Sequence, residues 1–108
     1  LIRRRKEGEM VRGLLTRIDC ADGSNVVFNV KAGDRVLRLH AAAIERVEFV
    51  SYVPSLAGAQ LGCSVRKPEN LVYVTFRRAS DPKSKFVGEL IAVDFITPDI
   101  ELEPEEKP

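Results

Sequence analysis

Two cysteines, one histidine and two aspartates that recur in similar surroundings are the residues of this 108-residue chain that could do chemistry. Cys20 and Cys63 lie 43 positions apart. A bridge between them would stabilise the fold by roughly 4 kcal/mol through loop closure. Tethering a long loop to the strand body makes the bridge geometrically sensible. Two free thiols, with Cys20 half buried and Cys63 exposed, are the other open reading. Metal binding needs three or four ligands, and the chain has no Cys-x-x-Cys or His-x-x-x-His pair, so neither a metal centre nor a cofactor is expected. His40 follows Arg38 at strand spacing with no Cys or Ser nearby in sequence to activate, and it reads as a surface or loop-packing histidine. Asp19 and Asp94 would have to share a face to work as an acid and base, and they read instead as bulge caps or solvent-facing groups. The stretch Gly58-Ala59-Gln60-Leu61-Gly62-Cys63 has glycines without the following Lys-Ser or Lys-Thr of a phosphate loop. No enzyme is expected from this set. The best ligand-binding candidates are Arg38, Tyr73 and Arg77, with Thr75 and Tyr52 nearby, because arginines and aromatics stack bases or sugars. The same pattern also describes the wet outer face of any sheet.

These side chains must be positioned by strands. Residues 11–20 hold Leu14, Leu15, Thr16 and Ile18 and stop at the turn sequence Ala21-Asp22-Gly23-Ser24, which predicts a first strand and a hairpin. Val26, Phe28 and Val30 alternate with Val27, Asn29 and Lys31 at the strand period of two. Ala32-Gly33-Asp34 is a tight turn into a third strand, Leu37 and Leu39 alternating with Arg38 and His40, so the second and third strands should pair. Residues 40–44 predict one helical turn as a connector. Val47 and Phe49 mark a fourth strand, residues 54–68 a long loop, Val72, Val74 and Phe76 a fifth strand, and residues 86–96 a last one after the exposed turn Ser80-Asp81-Pro82-Lys83-Ser84.

The first and last strands share one pattern, Gly13-Leu14-Leu15-Thr16-Arg17-Ile18-Asp19 beside Gly88-Glu89-Leu90-Ile91-Ala92-Val93-Asp94. Leu15 to Ile18, and Leu90 to Val93, are three residues apart, which puts them on opposite faces of a regular strand unless an extra residue forms a bulge. Gly13 and Gly88 would ease such bends. The repeat also suggests that the two end strands meet to close a barrel, which would remove exposed sheet edges. An open two-layer sandwich is the alternative.

One domain fits the length, with 44% hydrophobic and 31% charged residues and a net charge of +1, the balance of a globular chain. Unbroken apolar stretches are only a few residues long, as at Leu71-Val72-Tyr73-Val74, so no membrane span is expected. Arg3, Arg4, Arg5 and Lys6 open the chain, while Glu101, Glu103, Glu105 and Glu106 crowd its end beside Pro104 and Pro108, and both ends read as solvated linkers. The start at Leu1, without Met, reads as a piece of a longer protein whose address signal is missing. With those flanks set aside the net charge is only slightly positive, a weak basis for nucleic-acid binding.

Gly13-Leu14-Leu15-Thr16-Arg17-Ile18-Asp19-Cys20, Val36-Leu37-Arg38-Leu39-His40, Arg46-Val47-Glu48-Phe49-Val50-Ser51-Tyr52, Gly62-Cys63, Val72-Tyr73-Val74-Thr75-Phe76-Arg77 and Gly88-Glu89-Leu90-Ile91-Ala92-Val93-Asp94-Phe95 together resemble a domain at the C-terminal end of bacterial tetratricopeptide-repeat proteins. The resemblance covers most of residues 13–95 and consists of strand patterns without a catalytic signature. It implies that residues 1–9 are the tail of a last repeat helix and that the following module caps the array. It also implies a periplasmic or cell-envelope setting, which favours the Cys20–Cys63 bridge, and it carries over no catalytic residue.

The expectation is therefore an all-β fold, a small six-stranded antiparallel barrel of OB or SH3-like kind. Residues 1–9 form a helical or disordered lead-in, 10–97 the barrel and 98–108 an acidic, Pro-rich tail. Functionally it is a non-catalytic binding or capping module whose partner is its own upstream repeat region or another protein. The alternative is an OB-like barrel that binds single-stranded nucleic acid or an anionic glycan.

Overall fold

Alternating apolar residues dominate the chain, and in the computed structural model they form six strands: β1 (Glu9–Cys20), β2 (Val26–Ala32), β3 (Arg35–Ala41), β4 (Glu48–Ser51), β5 (Val65–Arg78) and β6 (Gly88–Phe95). A single 3-10 turn, Ile44–Arg46, connects β3 to β4, slightly later than the alanine run suggests. The structure describes residues 1–20, 25–54, 63 and 65–104. The turn expected at residues 21–24, the glycine stretch of residues 58–62 and the last acidic residues, Glu105 and Glu106, lie outside the described residues.

The strands form one sheet in the order β3-β2-β1-β5-β6-β4, and a further pairing of β3 with β6 curls it into a ring. The expected antiparallel arrangement holds for four of the pairings, but β3–β6 and β4–β6 are parallel, and the sheet is mixed. The reason is parity. The ring β1-β2-β3-β6-β5 has an odd number of strands, and alternating directions around an odd ring must meet one parallel pair. That pair is β3–β6, where Leu39 faces Gly88 and His40 faces Glu89. The end strands therefore do not pair with each other. β5 lies between them, antiparallel to both.

The bulges fall where the sequence spacing requires them. On β1 the register passes from Leu15 opposite Val30 to Arg17 opposite Asn29, leaving Thr16 as the extra residue. On β6 it passes from Leu90 opposite Phe76 to Ala92 opposite Thr75, leaving Ile91 extra. Each bulge returns the next apolar side chain to the interior, so Leu15 and Ile18, like Leu90 and Val93, are all buried. Gly13 sits where the strands crowd: a Cβ there would stand 2.6 Å from the Lys31 carbonyl oxygen. Gly33 has φ +65° in the two-residue turn that joins β2 to β3, a conformation L side chains rarely adopt.

β5 begins at Val65, earlier than its alternating residues suggest, and so takes in part of the stretch read as loop. Its register against β1 jumps from Asn70 opposite Leu15 to Val65 opposite Arg17. Pro68, which has no N–H to give a ladder, falls inside that jump.

The interior of the ring is filled by Leu15, Ile18, Val26, Phe28, Val30, Leu37, Leu39, Val72, Val74, Phe76, Val93 and their neighbours. Each fully buried side chain of this size contributes about 1.5–3 kcal/mol. A second, smaller cluster lies outside the ring, on the outward face of β5. There Ile2, Tyr73 and Ile96 are buried, with Met10, Leu71, Ile100 and Leu102 packed around them. Ile2 is only 6% exposed and bridges Leu102 in parallel: its N–H donates to the Glu101 oxygen at 2.9 Å, and its oxygen accepts from Glu103 N–H at 2.9 Å. The lead-in expected as helical or disordered holds no helix: Ile2 makes a bridge, and residues 6–8 turn the chain into β1. Helix propensity is worth a few tenths of a kcal/mol per residue, less than burying one isoleucine.

Candidate binding site

The two flanks expected as solvated linkers meet on one side of the ring, and charge as well as apolar surface brings them there. Arg4 donates from its backbone N–H to Glu103 Oε1 at 3.1 Å and from Nε to the Glu103 oxygen at 3.1 Å. Arg5 reaches further in, donating from Nη2 to Oδ1 of Asp94 at 3.3 Å and pairing through Nη1 with Glu48. Asp94 is 3% exposed, so Arg5 supplies the cation that this buried carboxylate faces. Burial pulls the Arg5 pKa down, but hydrogen bonds and attraction from Asp94 and then Glu48 more than offset it and hold it above its ordinary value. Asp94 is thereby a structural anchor. Asp19 lies on the other side, where it accepts from Arg17 Nε and, at 3.0 Å, from Asn29 Nδ2, so the two aspartates share no face.

This arrangement decides where the sequence-selected ligand residues stand. Val72, Val74 and Phe76 point into the ring, so Tyr73 and Thr75 point outward as expected, but the chain ends cover that face. Tyr73 is 9% exposed, with the Arg12 guanidinium 6.0 Å from its ring centroid. Arg77 is exposed on β5 opposite Glu89. Arg38 is on the outward face of β3, its guanidinium 5.5 Å from the centroid of Phe86. The three residues are not brought together into one patch. Tyr52, 45% exposed, lines a different cleft, with Leu1, Ile2, Arg3, Arg4, Arg5 and Asp94.

Across the ring from the chain ends, the outward side of β2 and β3 borders a groove of about 490 Å³ among the described residues. Val27 contributes apolar surface, the Cys20–Cys63 disulfide forms one wall and Phe86 another, and Arg17, Asp19, Asn25 and Arg38 supply the polar groups. The bridge expected from sequence is formed, with Cα atoms 5.5 Å apart. His40 laces this face together. Its Nδ1 lies 2.6 Å from Glu89 Oε2 and its Nε2 2.7 Å from Asn25 Oδ1, and its ring stacks on Phe86 at 5.0 Å between centroids. Both ring nitrogens are thus occupied.

Phe86, expected from its alternating surroundings as the first residue of the last strand, is instead a wall of this groove. β6 starts at Gly88, so Phe86 belongs to the β5–β6 connection. An aromatic at the end of the polar run Ser80-Asp81-Pro82-Lys83-Ser84-Lys85 is a signal that could have marked it.

Among the described residues no group of three or more His, Cys, Asp or Glu is placed to hold a metal ion, and no helix is long and apolar enough to cross a membrane. Comparison of the chain with protein-family models, with curated proteins and with solved structures returned no match.

Proposed function

We propose that this chain is a non-catalytic protein-binding module, a small closed β-barrel that caps the end of a helical repeat array of tetratricopeptide type. The observation that carries the reading is the cleft beside the chain's first residues. Among the described residues Leu1 and Tyr52 are two of the three large exposed apolar side chains, at 84% and 45%, and they line that cleft together with Arg3. Apolar side chains gathered at one place on a surface mark contact with another polypeptide, here a terminal repeat helix. The disulfide supports an oxidising compartment such as the cell envelope.

The test compares this module alone with a chain extended by helical repeats before Leu1. Thermal unfolding of the module should rise by several degrees when the repeats are present, and Leu1→Ser with Tyr52→Ser should abolish the rise. No coupling in either form counts against the proposal.

A second reading, an OB-like barrel that binds single-stranded nucleic acid or an anionic glycan, has one observation in its favour. A five-strand ring with an open β2–β3 face is the platform on which such barrels bind polymers. Arg38 lies on that face, whereas Tyr73 and Arg77 do not join it. Salt-dependent binding to a labelled oligothymidine would support it, and no binding at low salt would remove it.

A further inference from the structure

We propose that the groove on the β2–β3 face, across the ring from the Leu1–Tyr52 cleft, is a docking site for an extended acidic segment of a partner protein. In this arrangement a carboxylate pairs with Arg38, and the neighbouring apolar side chain enters the slot between Phe86 and the Cys20–Cys63 bridge.

Charge complementarity selects the occupant. Among the described residues the groove is lined by three charged side chains, Arg17, Asp19 and Arg38. Arg17 and Asp19 neutralise one another, and the second oxygen of Asp19 is taken by Asn29. Arg38 pairs with no carboxylate among the described residues, and its guanidinium lies over the ring of Phe86. Stacking occupies the flat face of a guanidinium and leaves its N–H edge free, and that edge matches a carboxylate in paired hydrogen bonds.

The rest of the groove limits what accompanies the anion. Val27, the disulfide and the Phe86 ring offer an apolar surface that a side chain of valine or phenylalanine size would fill. Phe86 is held in place from behind by His40, itself fixed between Glu89 and Asn25, so the slot is formed before any ligand arrives. One cation without a carboxylate partner among the described residues, beside an apolar slot, suits an acidic residue next to an apolar one. A polyanion would call for several free cations in a row.

The experiment uses the intact module and three fluorescent probes: hexapeptides alternating Glu with Val or Phe, the same peptides with Gln in place of Glu, and an oligothymidine. Fluorescence anisotropy should show the Glu peptides binding, with the Gln peptides at least about tenfold weaker, as for loss of one charge-assisted pair. Arg38→Gln should weaken the Glu peptides by a similar factor and Arg38→Lys by less. Phe86→Ala should weaken both peptide sets, and Arg46→Gln should change neither. Melting curves confirm that each variant is folded. Equal binding of Glu and Gln peptides, no response to Arg38→Gln, no peptide binding, or tighter binding of the oligothymidine would each overturn the proposal. Because the site lies away from Leu1 and Tyr52, Arg38 variants should leave any thermal coupling to a repeat region intact, so the two proposals can fail separately.

Discussion

Thr75 shows how an outward-facing strand residue can become a core residue. Its side chain is fully buried beneath the chain ends, and its Oγ1 has no hydrogen-bond partner among the described residues. An unsatisfied buried hydroxyl costs about 1–3 kcal/mol, whereas a valine of nearly the same shape has nothing to desolvate. Thr75→Val should therefore raise stability by about 1 kcal/mol in urea unfolding, and a loss of stability would mean that the hydroxyl has a partner in solution. Arg5 and Asp94 present the opposite case. Arg5→Met leaves the Asp94 carboxylate buried without its cation and should cost about 3 kcal/mol, while Arg5→Met with Asp94→Leu should recover much of that loss. A double variant no better than Arg5→Met would show that the pair stabilises by more than mutual compensation.

At the scale of elements, the bulges carry the most information. Deleting Thr16 would remove the extra residue of β1 and exchange the faces of the side chains after it, turning Ile18, now buried, toward the outside and Asp19 inward. The deleted chain should lose its cooperative unfolding transition, and a sharp transition near the parent's would mean that the bulge is dispensable. The pairing of β1 with β5 also carries a charge contact, Glu9 with Arg78, at 2.8 and 2.9 Å. The hydrogen bonds from Arg78 come first, and its charge adds to them, in holding the Glu9 pKa below the ordinary carboxylate value. A carboxyl whose folded pKa is depressed stabilises above its unfolded pKa, and that contribution is lost as pH falls through the lower folded value. Stability should accordingly drop on acidification below the ordinary glutamate range, and Glu9→Gln should flatten that part of the profile. An unchanged profile would show that the exposed pair contributes nothing, as many surface pairs do.

The whole molecule is organised by what its ends do. Basic residues at one end and acidic residues at the other look like separate tails in the sequence, yet they converge on the outer face of β5 and seal it with Ile2, Ile96, Ile100 and Leu102. Ile2→Ser should cost about 2 kcal/mol and uncover Tyr73. The chain has no Trp and two Tyr, so in a Tyr52→Phe background Tyr73 is the sole fluorophore selectively excited at long wavelength. Acrylamide quenching of its emission should rise in the Ile2→Ser variant, and unchanged quenching would indicate that the ends do not hold the face closed.

Period-two alternation was enough to read the second and third strands and the turn at Gly33 from the sequence alone, because one buried face imposes that period on the residues that form it. Three-residue spacing located both bulges for the same reason. Pairing of distant strands leaves no such local trace. Which strand closes the ring, that β3 and β4 both run parallel to β6, and that β5 rather than β1 lies beside β6 depend on contacts between residues far apart in the chain. The chemistry-bearing residues divide in the same way. The disulfide was one of two readings that the sequence left open: two cysteines allow one pairing, and the fold decides that they meet. The grouping of Arg38 with His40 and Phe86, and the burial of Tyr73 under Ile2 and Leu102, arose only in the folded chain, where the ends cover one side of the ring and leave the other open.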